Sequence, residues 1–383
     1  MAETAALLVD SVLPQQPVRQ WVLSLPFALR YLLATRPEVI TQVLGIVYRA
    51  ISSHLIRKSG LTRASAVTGA VTLIQRFGSA LNLNVHFHLL VLDGVYRREG
   101  EGRLVFVPVP SPSTEELKGL VQRIAERIGR ALERSGLITR DIDNAYLAFD
   151  PAEEAPNHGL LGSSITYRIA TGPREGQKVF TLKTLPAEPD APRPEVAESS
   201  GFSLHAGIAA KASQRDKIER LARYVSRPPV ATERLSLTRG GNVRYALKTP
   251  YRDGTTHVIF EPEDFIARLA ALVPKPRAHL TRYHGVFAPA SFDRARIVPG
   301  TRTAASAARG EVSVSDRQRA MSWAHRLKRV FAIDIDKSAG LPICTTEGRR
   351  EAVGHRDVPD ETCEHRGGAV RITAPAHPCA PRN

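Results

Sequence analysis

Residues 69–94 read GAVTLIQRFGSALNLNVHFHLLVLDG, in which two apolar runs are joined by a short connection. The side chains of a β-strand point alternately to its two faces. The second run therefore predicts a strand whose odd-numbered residues, from Val85 to Val91, face a core, while His86 and His88 lie side by side on the other face. The first run is rich in β-branched residues, and we expect two neighbouring antiparallel strands.

Two imidazoles on one face of a strand can bind a shared cation. The alternative is a pair of ordinary histidines, each with a local hydrogen-bond partner, because burying an unpartnered polar group is unfavourable. The sequence does not fix a third metal ligand. Gln75 on the preceding strand is the first candidate, ahead of Asn84, which shares the histidine face, and Asp93, which follows the strand.

The composition favours a polyanionic partner. The chain has 383 residues, with 53 Lys and Arg against 38 Asp and Glu, and a formal net charge of +15. This balance is typical of proteins that bind nucleic acid, with an anionic membrane surface as the second possibility.

The cysteines and the N-terminus indicate a cytoplasmic protein. Cys344, Cys363 and Cys379 provide no disulfide framework for the body of the chain, which fits a reducing compartment. The N-terminus lacks the pattern of a signal peptide, and we expect no stretch of membrane-spanning length. The chain contains neither a Gly-x-Gly-x-x-Gly nor a Walker motif, so we expect no nucleotide cofactor.

The hydrophobic periodicity in the rest of the chain predicts an α+β fold with a central, mainly antiparallel sheet flanked by helices. A capping box of Ser113 and Glu116 begins one of the predicted helices. Helices are predicted over 37–59, 114–135, 213–226 and 262–273. Strands are predicted over 104–109, 164–170, 177–183 and 202–208, with three more within 234–260, an exposed loop over 185–201 and a linker over 301–320.

Tyr224 lies near the end of an amphipathic helix, beside its apolar stripe and among basic residues. Arg220 and Lys217 precede it by about one and two turns on the same face. Cations there would stabilise a phenolate and hold a phosphate next to the hydroxyl, which would make Tyr224 a nucleophile. The alternative is a tyrosine that only anchors the helix by packing. Arg223 and Arg227 are further candidates for phosphate contacts.

The region around this helix is strongly basic. Between Lys211 and Arg252 there are eleven Lys or Arg and three Asp or Glu. The same region contains Tyr245 and Tyr251, and this mixture suits a phosphate backbone with unstacked bases.

Four stretches carry a resemblance to a known family. They read AVTLIQRFGSALNLNVHFHLLVLDGVY (70–96), FSLHAGIAA (202–210), ERLARYVSRPPVATERLSL (219–237) and RYHGVFAPAS (282–291). Together they resemble the rolling-circle insertion-sequence transposases of the HUH type, in particular those of the insertion sequence common region elements. The resemblance covers roughly residues 5–335.

This resemblance implies a specific chemistry. His86 and His88 would bind Mg²⁺ or Mn²⁺, with Gln75 as the favoured third ligand, and Tyr224 would be the nucleophile. The substrate would be single-stranded DNA at transposon ends and targets, cut and rejoined through a 5′-phosphotyrosine. Many relatives have a second tyrosine four residues earlier, where this chain has Arg220. The chain therefore resembles a single-tyrosine branch of a bacterial family, acting at the nucleoid.

The resemblance also implies a division of the chain. We expect an N-terminal segment over 1–36, a nuclease domain over 37–300, and a linker with a degenerate tail over 301–383. Relatives usually begin with a cysteine-rich zinc-binding segment, so we expect a truncated or late-start product. The tail could still bind zinc through its scattered Cys and His residues, at spacings that fit no standard site: Cys344, Cys363, His365, His377 and Cys379.

Three alternatives remain open from the sequence. A plasmid replication initiator or relaxase would use the same chemistry. An inactive remnant would bind DNA without cutting it. An unrelated zinc hydrolase would need another strong ligand near the histidine pair. His205 and His284 lie in family-like stretches, and either could approach the DNA or serve the fold.

Overall fold

The fold is given by a computed structural model that describes residues 2–140, 145–148, 158–187, 196–276 and 278–299. The predicted linker, the degenerate tail and the possible cysteine-rich zinc site all fall outside these residues. The bounds of the elements are as follows.

The α-helices are α1 (Ala2–Leu7), α2 (Phe27–Thr35), α3 (Pro37–Lys58), α4 (Thr114–Arg134), α5 (His158–Ile165), α6 (Arg215–Val225), α7 (Pro262–Leu272) and α8 (Arg294–Ile297). A π-helical turn covers Leu8–Val12, and 3₁₀ turns cover Gly100–Gly102 and Thr232–Arg234. The strands are β1 (Val18–Ser24), β2 (Ala66–Val67), β3 (Gly69–Phe77), β4 (Leu83–Leu92), β5 (Gly94–Arg98), β6 (Leu104–Pro108), β7 (Ile138–Arg140), β8 (Ala145–Leu147), β9 (Phe180–Lys183), β10 (Val196–Ser199), β11 (Phe202–Ala210), β12 (Leu235–Leu237), β13 (Val243–Ala246), β14 (Thr255–Phe260) and β15 (Thr281–Gly285).

A six-stranded sheet in the order β10-β11-β1-β4-β3-β15 organises the molecule. Every pair of neighbours in it is antiparallel. The predicted pairing of the two strands in residues 69–94 is confirmed, with Ile74 opposite Phe87 and Gln75 opposite His86. The fold is therefore α+β with an antiparallel central sheet, as the sequence predicts.

The two faces of this sheet pack against different helices. The odd-numbered residues of β4, from Val85 to Val91, share a core with the buried residues of α3 and α4. On the other face, Leu90 and Leu92 share a core with the buried side of α6 and with the N-terminal helical turns. Alternate residues of β4 therefore face different helical layers, as the alternation in the sequence predicts.

A second, four-stranded antiparallel sheet has the order β12-β13-β14-β9, with three strands after helix α6 and β9 before it. It has a separate small core that includes Tyr245, Val258 and Phe260. The three strands predicted within 234–260 are confirmed. The turn between β13 and β14 carries Lys248, which lies against the tyrosine described below.

Three sequence predictions in the middle of the chain are wrong in part. The strand predicted over 164–170 overlaps the end of helix α5, because a short apolar run such as LLGSSI suits either structure. The next predicted strand, over 177–183, is confirmed only for Phe180–Lys183. The predicted loop over 185–201 includes strand β10, which pairs with β11 at the edge of the central sheet.

Residues 1–36, which the sequence analysis set apart, contribute a central strand. Strand β1 lies between β11 and β4 and pairs with both. Its side chains are almost all buried, and Trp21 is among the largest fully buried residues.

Helix α3 is long and apolar enough to cross a membrane by length and composition alone, contrary to the expectation from the sequence. Most of its apolar window is buried inside the protein. It packs with α4 on the sheet, and this burial accounts for its composition.

Candidate active site

His86 and His88 project together from the face of β4 opposite the α3 and α4 core. Their ring centroids are 4.9 Å apart, and the ring planes are inclined by 62°. This arrangement confirms the shared face that the alternation in the sequence predicts.

Each histidine ring has a hydrogen-bond partner at Nδ1. His86 Nδ1 lies 2.8 Å from the backbone oxygen of Asn84, which can only accept, so this nitrogen carries the proton and Nε2 keeps its lone pair. His88 Nδ1 lies 2.8 Å from the side-chain amide of Gln20. Outer-sphere amides and carbonyls of this kind fix the ring orientation of metal-binding histidines.

Gln20 can support either tautomer of His88. Its amide nitrogen faces Nδ1, while its buried Oε1 has no hydrogen-bond partner among the described residues. Turning the amide over brings Oε1 to accept a proton from Nδ1, which leaves Nε2 of His88 with a lone pair. No sequence pattern predicts strand β1, so Gln20 was not among the candidate site residues.

Burial keeps both rings uncharged near neutral pH. It lowers the pKa of His86 to about 4, although the hydrogen bond to Asn84 opposes part of the shift. Burial is the main cause that lowers the pKa of His88 to about 3, with a smaller contribution from the proximity of His86 and Arg227. Neutral imidazoles have the lone pair that a metal ion requires.

Gln75 links the histidine strand to the tyrosine helix. It lies opposite His86 in the register of β3 and β4, and its Nε2 donates a 2.6 Å hydrogen bond to the backbone oxygen of Val225, in the last turn of α6. Its Oε1 is buried and has no partner in the described part of the chain. An unpartnered buried oxygen is unfavourable, and a bound cation would satisfy it.

The side chains at this site fit a divalent ion. Two neutral imidazoles, the free oxygen of Gln75 and the similarly unpartnered Oδ1 of Asn84 offer nitrogen and oxygen donors on one face. Asp93 is less suitable, because both of its carboxylate oxygens accept 2.8 Å hydrogen bonds from Arg19. The described residues contain no group of three or more His, Cys, Asp or Glu placed to hold a metal, so an ion bound here would need amide oxygens as further ligands.

Tyr224 stands beside the histidine pair. Its ring lies edge-on to that of His88, with centroids 6.5 Å apart, and 40% of the residue is exposed. The Cζ of Arg227 is 4.1 Å from the centroid of the tyrosine ring, and the Nζ of Lys248 is 4.5 Å from it. An exposed phenol thus lies between the histidines and two cations.

The predicted phosphate-binding residues divide into two groups. Arg227 contacts Tyr224, whereas Arg220 is exposed on the helix, and no cation–π contact joins Arg220 or Lys217 to the tyrosine ring in the described structure. Arg223 directly precedes Tyr224 on the same helix. Lys248, which was counted in the basic region but not singled out, reaches the ring from the second sheet. No local sequence pattern predicts this contact, because Lys248 lies in the turn between β13 and β14.

A cavity of about 500 Å³ opens beside the site. Gln75, Phe77 and Arg227 line it together with side chains at the end of α7. Its walls are mainly apolar, and Arg227 also lies 5.8 Å from the ring of Phe77.

His205 and His284, the other two histidines considered from the sequence, lie on opposite faces of the central sheet. His205 is opposite Val22, which is also opposite His88, so His205 lies in the same cross-strand row on the site face. His284 stacks on Tyr48 of α3 at a centroid distance of 5.0 Å and hydrogen-bonds to Thr72. It therefore supports the packing of the other face.

Comparison with known proteins identifies the family of the chain. The model of the family Y2_Tnp, described as "Putative transposase", matches residues 69–295, which is more than half of the chain. No curated protein and no solved structure matches the sequence. The matched range contains both histidines, Gln75 and Tyr224. The chain therefore belongs to this transposase family.

Proposed function

We propose that this transposase nicks and rejoins single-stranded DNA through a 5′-phosphotyrosine at Tyr224, with a divalent ion bound by His86, His88 and Gln75. One observation carries the proposal. A neutral histidine pair, an amide with a free oxygen and an exposed, cation-flanked tyrosine converge on one face of the sheet, although they come from three separate elements.

The proposed step is a transesterification. The phenolic oxygen of Tyr224 attacks the scissile phosphorus, the bond from phosphorus to the 3′ oxygen breaks, and the DNA 5′ phosphate becomes an ester of the tyrosine. The phenolic proton passes to solvent, and the departing 3′ oxygen takes up a proton. A 3′ hydroxyl can attack the ester in the reverse direction, so that strands are rejoined without ATP.

The divalent ion, Mg²⁺ or Mn²⁺, would polarise and orient the scissile phosphate. The residues of the chain then have separate tasks. Gln20 and the backbone of Asn84 orient the histidine rings. Gln75 holds the last turn of α6, and with it Tyr224, at a fixed distance from the histidine strand.

The cations beside Tyr224 suit both the attacking group and the substrate. Arg227 and Lys248 can stabilise a developing phenolate and pair with a phosphate next to it. The adjacent apolar cavity has room for an unstacked base, which favours a single strand over a duplex at this site.

The chain offers one tyrosine on this helix. Arg220 stands four residues before Tyr224, so a mechanism with two alternating tyrosines has no second nucleophile in α6. This supports the proposal that the protein is of the single-tyrosine branch of rolling-circle transposases.

A covalent-adduct assay tests the proposal. End-labelled single-stranded DNA that carries the element's terminus and its insertion target is incubated with the protein and Mn²⁺, then run on a denaturing gel. We expect a labelled protein band that is absent in Tyr224→Phe and in chelator. Tyr96→Phe is the matched control, since it removes a phenol that packs against Phe106 in another part of the protein.

The same assay separates the alternatives. Tight DNA binding with no adduct on any strand would indicate an inactive remnant. An adduct formed on a plasmid replication origin, and not on element ends, would indicate a replication initiator or relaxase.

A further inference from the structure

A second basic surface lies on the opposite side of the molecule, on helices α3 and α4. Arg123, Arg127, Arg130 and Arg134 follow one another at intervals of four, three and four residues, so they form a single stripe along α4. All four are exposed or half-exposed.

Helix α3 supplies a matching set of arginines. Arg49 and Arg57 are exposed and lie about two turns apart, and Arg63 follows just after the helix. Helices α3 and α4 pack side by side, so the two sets face a common depression. We call this depression the arginine groove; its arginines are Arg49, Arg57, Arg63, Arg123, Arg127, Arg130 and Arg134.

Two adjoining cavities of about 550 and 350 Å³ make up the groove, and Arg127 lines both. Their floor includes Ile46, Ala50 and Ile56. Glu133 is the acidic residue in the two linings, against seven arginines.

Most of these charges are not neutralised within the described part of the protein. Arg130 pairs with Glu126 at 3.2 Å, and Glu126 and Glu133 together can offset at most two of the seven arginines. Arg57 and Arg63 instead donate hydrogen bonds to the backbone and side-chain oxygens of Ser53. An excess of positive charge concentrated in a concave surface attracts a polyanion.

The arginine groove is separate from the tyrosine site. Helices α3 and α4 share their core with the odd-numbered face of β4, whereas α6 packs on the face that carries the histidines. A ligand in the groove therefore lies across the sheet from Tyr224.

The lining of the groove indicates which polyanion it would bind. Guanidinium groups match phosphate oxygens in bidentate geometry. Neither lining contains an aromatic side chain on which an exposed base could stack, in contrast to the tyrosine site with Tyr224 and Phe77. The stripe on α4 extends over roughly 16 Å, enough to follow several phosphates of one strand.

We propose that the arginine groove binds the phosphate backbone of double-stranded DNA, without reading its sequence, while the opposite face cuts a single strand. The groove would hold the duplex that flanks the cleaved segment. The duplex-binding part of this inference does not depend on catalysis at Tyr224.

The test compares two triple variants of equal charge change. Arg123→Gln/Arg127→Gln/Arg134→Gln removes three charges from the groove. Arg97→Gln/Arg103→Gln/Lys118→Gln removes three exposed charges elsewhere. Binding of a fluorescent DNA duplex is measured by anisotropy over a range of salt concentrations, and equal melting temperatures verify that both variants are folded.

We expect the groove variant to lose about tenfold or more in duplex affinity, and its salt slope to fall by roughly 2 to 3, since each lost phosphate contact reduces the slope by about 0.9. The control variant should stay close to wild type. Adduct formation by the groove variant on a short single strand should be unchanged.

Two results would overturn the proposal. Equal losses in both variants would mean that only net charge matters. Unchanged duplex binding, together with lost binding to phosphatidylserine vesicles, would assign the groove to a membrane surface. If wild type forms no adduct but the groove variant still loses duplex binding, the proposed catalytic function fails and this inference stands.

Discussion

The two faces of strand β4 differ in how their side chains are satisfied. On the odd-numbered face, Phe87 and its neighbours are fully buried apolar residues in the main core. On the even-numbered face, the histidines lie near buried amide oxygens of Gln20, Gln75 and Asn84 that lack partners in the described structure. Unpartnered buried polar atoms reduce stability and concentrate at functional sites.

Along strand β4, residues that stabilise the main core therefore alternate with residues that we propose take part in DNA cleavage. Substitutions on the odd-numbered face should therefore change folding, whereas substitutions of His86 and His88 on the even-numbered face should change DNA cleavage.

The largest effect is expected from the histidine pair. His86→Ala or His88→Ala should lower the rate of adduct formation by about three orders of magnitude, because metal-ion catalysis contributes several kcal/mol. The rate is measured over a Mn²⁺ titration, with thermal melts to verify folding. A rate within a few-fold of wild type in either variant would contradict the assigned metal site.

Phe87→Ala, between the two histidines, should have the opposite profile. Removing this fully buried ring should lower the free energy of unfolding by about 3–5 kcal/mol. Denaturant unfolding measures the change, and the adduct rate of the folded fraction should remain near that of wild type. A loss of less than about 1 kcal/mol would mean that this face is not the main core.

Gln75 allows ion binding and stability to be tested separately. Its amide nitrogen donates a hydrogen bond to Val225, and its amide oxygen is the proposed ligand. Gln75→Leu should weaken Mn²⁺ binding about 10- to 100-fold, while stability changes by only about 1 kcal/mol, since one hydrogen bond and one unpartnered oxygen are lost together. Isothermal titration with Mn²⁺ measures the affinity.

Gln75→Glu is the comparison variant for this prediction. It keeps an oxygen donor, adds a negative charge beside the ion and sets a carboxylate oxygen against the backbone oxygen of Val225, so Mn²⁺ affinity should be at least that of wild type while stability without the ion falls. Equal Mn²⁺ affinity in wild type and Gln75→Leu would remove Gln75 from the ligand set.

The smallest effect concerns pH. Burial lowers the pKa of His86, His88 and His284 to about 4, 3 and 4, and also lowers that of His54. Between pH 6.5 and about 4 the unfolded chain therefore binds more protons than the folded chain, so stability should fall as the pH falls.

Thermal melts in chelator between pH 7.5 and 4.5 test this expectation. The double variant His86→Gln/His88→Gln should flatten the dependence and leave the part due to His54 and His284 on the other face. A wild-type melting temperature that is independent of pH in this range would contradict the burial of these rings.

The parts of the fold that the sequence predicts best are those with a clear local period. The strands within 69–94, the capped helix α4 and the helix that carries Tyr224 all show periods of two or 3.6 residues. Strand β1 was missed because it is buried on both faces and has no alternation, and its partners β4 and β11 are distant in the sequence.

Prediction of the site from the sequence has the same limit, because a local period places some residues and tertiary packing places the others. Alternation predicts the shared face of His86 and His88, and the opposite position of Gln75 follows from the pairing of β3 with β4. The approach of Tyr224 depends on how α6 packs, through the bond from Gln75 to Val225. Lys248 belongs to a separate sheet, so no local pattern could place it on the tyrosine ring.

The central claim is that Tyr224 becomes covalently joined to a DNA 5′ phosphate. Mass spectrometry of the trypsin-digested adduct tests it most directly, because cleavage after Arg223 and Arg234 releases the segment YVSRPPVATER (224–234), in which Pro228 protects Arg227. Our account predicts this peptide with the added mass of a 5′-phosphorylated nucleotide fragment on its tyrosine. The same added mass on a peptide that lacks Tyr224, with 224–234 unmodified, would contradict it.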